Sequence, residues 1–155
     1  MSNTTSEQEP LPPKPKAPVD LSGKWKLIKN ENYDEFLQAL GVGKIARVAA
    51  SSQSPTMEIK QDENDNMVVT VSTPMRATED RYTVGQEFTN PDPTREGELA
   101  TYLPTWDWEG KKLTIRNLSR PDDGIHVTRE LVGGMLVQTQ MVGTAVAKRY
   151  FVRTV

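Results

Sequence analysis

Two arginines carry the most chemistry that this chain offers. In "IHVTREL", residues 125–131, Arg129 keeps step with Val127 and Leu131; in "AVAKRYFVR", residues 145–153, Arg149 keeps step with Ala145, Ala147 and Phe151. Side chains of an extended strand alternate between its faces, so the apolar set marks the buried face and both guanidiniums share it. A guanidinium shut away from water costs several kcal/mol even after relaxation, and it needs a carboxylate, ordered water or an anionic ligand. Its planar fork of donors suits a carboxylate well. The residues alone leave three readings open: a bound hydrophobic acid, an internal ion pair to Glu130 or Asp80, or arginines turned to solvent by a one-residue slip in register.

Other chemistries have little to stand on. Cysteine is absent, which removes disulfides, thiolate catalysis and Cys-ligated zinc together and points to a reducing compartment. The single histidine, His126, alternates with Val127 and so belongs to the outer face, leaving no His-based triad and no clustered metal site. "GVG" at 41–43 is too short for a nucleotide loop and follows a helix pattern instead of a strand. Glu58 and Asp80 form no defensible acid–base pair, and Trp106 and Trp108 of "TWDW" read as one packed strand face. The expectation is a binding protein without enzymatic activity, metal or cofactor.

Strands must hold the arginines. "KWKLIKN" alternates with Trp25 and Leu27 buried, and nine further strand-like runs follow from "TMEIKQ" to "AVAKRYFVR", separated by turn clusters such as "DENDN", "RPDDG" and Gly133–Gly134. Strands at this spacing make an antiparallel meander, and closing it into a barrel removes its edges. A ten-stranded barrel is wider than its own side chains need fill, so a ligand cavity is expected. Between the first strand and the rest lies "NYDEFLQALGVGKIARVAA", residues 32–50. Tyr33, Phe36, Leu37 and Leu40 fall at helical spacing after Asn32, a capping residue with Glu35 placed to reach back, and Gly41 ends the run. "KIARVAA" restarts a second short helix, and neither helix stands alone in water, so both must lay apolar faces on something. The pair makes a lid over one barrel end.

Composition agrees with one compact domain: 155 residues, 35% hydrophobic, 26% charged, net charge −2, and mean hydropathy −0.60. That balance provides no global field for nucleic acid, and no apolar run approaches the roughly 20 residues of a membrane span. Residues 1–19, with five prolines and almost nothing to bury, read as a disordered tail, and 20–155 as the barrel domain. "PLPPKPKAP" offers PxxP spacings without the flanking Lys that SH3 ligands want. The opening "MSNTTSEQEP" lacks a signal peptide's apolar stretch, so the sequons at Asn3 and Asn117 are expected to be idle.

"GKWKLIKNENYDEFLQALGVGKIARVAA", "GQEF", "TREL" and "GTAVAKRYF" together resemble the intracellular lipid-binding proteins, the fatty-acid-binding and cellular retinoid-binding family, over residues 19–155. The resemblance implies an all-β, ten-stranded antiparallel up-and-down barrel, calycin- and lipocalin-like, with a helix-turn-helix lid. It also implies two arginines and a tyrosine around a ligand carboxylate, at Arg129, Arg149 and the position of Phe151. The missing hydroxyl removes one hydrogen bond to a charged acceptor, worth roughly 1.5–3 kcal/mol. Alternatively, a bulge in this last strand turns Tyr150 inward, with Lys148 in place of the arginine. Gln138 and Gln140 fall where such cavities present apolar side chains, which implies a wetter interior.

Tyr33, Phe36, Leu37, Val42, Met75 and Arg76 match the family's portal, although core packing explains Tyr33, Phe36 and Leu37 equally well. Lys44 and Arg47 read as two charges on a solvated face, or as a transient contact with an anionic membrane. The expected protein is a cytoplasmic monomer that carries a long-chain fatty acid or similar hydrophobic carboxylate. The alternatives are a carrier of a retinoid or another lipid, and a structural, membrane-associated barrel with weak, unselective lipid binding.

Overall fold

A computed structural model describes residues 17–92, 95 and 97–155. Most of the expected tail therefore lies outside the described residues. Val19, which composition assigns to the tail, packs partly on the core, and its carbonyl accepts a 3.0 Å bond from Gln61 Nε2. The packed chain thus begins before residue 20, because Gln61 also accepts from the Leu21 amide at 3.0 Å and holds this segment across the barrel floor.

The elements run β1 (Gly23–Glu31), α1 (Tyr33–Ala39), α2 (Lys44–Ser51), β2 (Thr56–Gln61), β3 (Asn66–Thr73), β4 (Arg76–Thr83) and β5 (Phe88–Pro91). They continue as β6 (Leu99–Asp107), β7 (Lys112–Asn117), β8 (His126–Val132), β9 (Met135–Val142) and β10 (Ala145–Arg153), with a short 3-10 turn at Pro121–Asp123. All ten strands form one sheet in the order β4-β3-β2-β1-β10-β9-β8-β7-β6-β5. This is the expected up-and-down antiparallel barrel. The β8–β9 hairpin is tight because Gly133 and Gly134 both take positive φ, 57° and 82°, as a two-residue primed turn requires.

The barrel is not quite closed, since β4 and β5 share no ladder. Side chains bridge the seam: Asn90 Nδ2 donates to Asp80 Oδ1 at 2.9 Å, and Tyr82 stacks on Phe88 with ring centroids 4.8 Å apart. At the floor, Trp25, Leu113, Leu136 and Phe151 are fully buried in one cluster. A second cluster under the lid joins Phe36, Leu37 and Leu40 of α1 to Val142 and Ala147.

Three local expectations fail. Asn32 stands in the left-handed region, φ 55°, and its side chain makes no capping bond; the chain turns sharply from β1 into α1, and Asn tolerates that conformation where most residues do not. α2 fully buries none of its residues, with Ile45 89% and Val48 60% exposed and only Ala50 partly packed on the cluster under the lid, because α1 supplies most of the cover over the barrel mouth. β6 ends at Asp107, so Trp108 sits exposed in the turn, while Trp106 packs against the core and donates through Nε1 to Asp65 Oδ1 at 3.2 Å.

Candidate functional site

One inward row of side chains crosses six neighbouring strands. The ladders align Trp106 with Leu113, Leu113 with Arg129, Arg129 with Gln138, Gln138 with Arg149, and Arg149 with Asn30. Partners directly opposite in an antiparallel pair share a face, so both arginines project into the barrel beside the buried Leu113. Asn30 joins the row only because β1 shifts register between Leu27 and Lys29. This bulge sends Ile28 outward, 57% exposed, and reverses the parity that follows it. The strand that bulges is β1, not β10.

Arg149 is buried, with 9% of its surface exposed. Its Nε donates to Asn30 Oδ1 at 2.9 Å, and the guanidinium lies 4.2 Å from the centroid of the Tyr33 ring. Burial lowers its pKa from the ordinary arginine value, and Tyr33 offsets this in part. Arg129 donates from Nε to Gln138 Oε1 at 3.0 Å and from Nη1 to the Tyr82 hydroxyl at 3.3 Å. Among the described residues neither arginine forms an ion pair. The alternatives of an internal pair to Glu130 or Asp80 are therefore absent there: Asp80 binds Asn90, and Glu130 takes the opposite parity to Arg129 on β8. A guanidinium offers five N–H donors, so both keep donors for a further acceptor.

A cavity of about 240 Å³ opens beside Arg129, lined by Asp80, Tyr82, Phe88, Asn90, Tyr102 and Ile115 among others. Its aromatic wall is continuous, because Phe88 also stacks on Tyr102 at 5.5 Å. Tyr82 is 7% exposed; burial raises its pKa most, Asp80 adds to the rise, and Arg129 opposes it. The hydroxyl consequently stays protonated at neutral pH and can donate to a ligand while accepting from Arg129. Sequence parity did not single out Tyr82, since the signal lies in a contact between strands distant in the chain.

Phe151 lies one step from this row, opposite Leu27 and Leu136, fully buried in the floor cluster. Tyr150 faces outward beneath Lys29, whose ammonium is 5.5 Å from its ring; the alternative in which Tyr150 and Lys148 turn inward does not occur. Gln140, one step from the row on the other side, pairs with Val127 and Ala147, and its buried Oε1 has no hydrogen-bond partner among the described residues.

The portal residues separate. Tyr33 touches Arg149, whereas Phe36 and Leu37 are core. Val42 packs beside them, and its carbonyl accepts from Arg47 Nη1 at 2.8 Å. Arg47 also donates through Nε to Asp34 Oδ1 at 3.0 Å, so it staples α2 to α1 and is not a solvated charge. Met75, 90% exposed, and the exposed Arg76 stand at the β3–β4 turn, away from the cavity wall. His126 holds Nδ1 2.8 Å from the Gly124 carbonyl oxygen, outside the row.

The lipocalin / cytosolic fatty-acid binding protein family model matches residues 22–149. Rattus norvegicus cellular retinoic acid-binding protein 2 is 33% identical over 138 residues, covering 86% of this chain and 98% of that relative. Bos taurus cellular retinoic acid-binding protein 1 is 35% identical over 137 residues, with the same two coverages. The solved structure of the REP1-NXSQ fatty acid transporter superposes with TM-score 0.76 at 29% identity, covering 87% of this chain and 96% of that one. Apo Caenorhabditis elegans lipid binding protein 8 gives 0.74 at 28%, covering 86% and 94%. With its strand order, its interior row and these matches in agreement, the chain belongs to the lipocalin / cytosolic fatty-acid binding protein family.

Proposed function

We propose that the protein is a cytoplasmic, monomeric carrier that holds a hydrophobic carboxylate, foremost a long-chain fatty acid, inside its barrel. The observation that carries this reading is the pair of inward guanidiniums on one row, unpaired by any described carboxylate. The carboxylate binds at the Arg129 side of the row, with Tyr82 supplying the hydroxyl that Phe151 lacks and Arg149 adding charge across Gln138. Burial of the tail contributes about 0.8 kcal/mol per methylene, and the arginines select the head group. The cavity of about 240 Å³ is smaller than the roughly 300–1,000 Å³ usual for small-molecule sites. A long chain therefore needs room beyond this cavity, and α2, a lid helix with no fully buried residue, is the part of the mouth that yields. The exposed Ile45, Val48 and Met75, near Lys44 and Arg76, suit transient contact with an anionic membrane during transfer.

Retinoic acid is the second reading, favoured by the retinoic acid-binding relatives; it meets the same arginines with the same charge. Calorimetric titration of lipid-stripped protein with oleate, retinoic acid and oleyl alcohol tests both. Tight one-to-one binding of an acid with at least tenfold loss for the alcohol supports the carboxylate reading, and the tighter acid identifies the cargo class. Head-group-blind or negligible binding contradicts it and favours a structural, membrane-associated barrel.

A further inference from the structure

The cavity wall facing Arg129 is chemically mismatched to a plain saturated chain. Asp80 lines it from β4; one of its oxygens accepts from Asn90, and it has no ion pair among the described residues. Gln140 lies directly opposite Val127 but is not itself part of this lining, so Asp80 is the acceptor that faces the cavity. Hydrocarbon laid against the Asp80 carboxylate strips its water and returns no hydrogen bond, an arrangement that proteins avoid. A group that donates a hydrogen bond satisfies it.

We propose that the preferred ligand is a hydroxylated hydrophobic acid, its carboxylate on Arg129 and its hydroxyl donated to Asp80 across the cavity. This deepens, and rests on, the carboxylate reading above. Because Arg129 and Asp80 line one cavity of about 240 Å³, the hydroxyl belongs within a few carbons of the carboxylate, not at the far end of the chain. A site built to bond a ligand hydroxyl discriminates strongly against the analogue without it, because its own polar groups are then left unpaired.

The test titrates the full, lipid-stripped chain with stearate and with its β-hydroxy, δ-hydroxy and ω-hydroxy derivatives, in the wild type and in Asp80→Leu and Asp80→Ala. The expected result is at least tenfold tighter binding of the β- or δ-hydroxy acid than of stearate, no gain for the ω-hydroxy acid, and collapse of the preference in at least one variant. If Asp80→Leu does not fold, Asp80→Ala reads the same contact with less added bulk. Stearate binding as tightly as every hydroxy acid, or a preference unchanged in both variants, overturns this inference alone. Failure of all four acids in the wild type while oleyl alcohol binds overturns the carboxylate reading and this inference with it.

Discussion

On the proposed carboxylate reading, Tyr82 and Arg149 are single side chains that set what the barrel accepts. Tyr82 accepts from Arg129 and retains a proton for a ligand oxygen, so Tyr82→Phe should weaken oleate binding by roughly 1.5–3 kcal/mol, read calorimetrically. Its raised pKa also sets an alkaline signature. A phenol whose folded pKa exceeds its unfolded value stabilises the fold fully below the unfolded value, about 10, and loses that contribution as pH rises through the folded value. Chemical denaturation from pH 9 to 12 should therefore show a shallower alkaline loss in Tyr82→Phe; Tyr102, also raised by burial, leaves part of the slope. Arg149 presents the opposite balance. Its charge is buried without an anion among the described residues, so Arg149→Met should leave the unliganded protein's stability within about 1 kcal/mol of the wild type while costing roughly 1.5–3 kcal/mol of oleate binding. A large loss of stability with unchanged affinity would make this arginine purely architectural.

Among the elements, α1 and α2 differ most for their similar size. α1 seals the barrel mouth with Phe36, Leu37 and Leu40, whereas α2 is held through the Arg47 bonds to Asp34 and Val42 and the partly buried Ala50. Leu37→Ala should cost about 2–5 kcal/mol of stability and Val48→Ser less than about 0.5 kcal/mol, in denaturant unfolding. Hydrogen exchange should release α2 amides well before those of β9 and β10. The strands were legible because alternation and turn residues act locally: Trp25 and Leu27 announce β1, and Gly133–Gly134 announces the β8–β9 hairpin. Parity placed Arg129 and Arg149 for the same reason. Asn30 was not legible, since the β1 bulge reverses parity without a turn residue to mark it. Tyr82 was hidden because its partner lies 47 residues away, and the exposure of α2 depends on α1 having already filled the mouth.

At the scale of the whole molecule, a meander with one unladdered seam holds a polar row inside an apolar shell. Ligand binding to the folded state alone then stabilises the whole barrel: at a free concentration one hundred times Kd the gain is about 2.7 kcal/mol. For a domain of this size that gain corresponds to a rise in Tm of about 5–11 °C, measurable by calorimetry with saturating oleate. The central claim is that the interior guanidiniums meet a carboxylate, and the most direct measurement is the NMR pH titration of oleate labelled at its carboxyl carbon, bound to the protein. Arginines within contact hold the bound carboxylate ionised, so the account predicts an apparent pKa at least one unit below that of an exposed carboxylate, returning upward in Arg129→Gln. A bound carboxyl that titrates at or above the ordinary value, unmoved by Arg129→Gln, would contradict it.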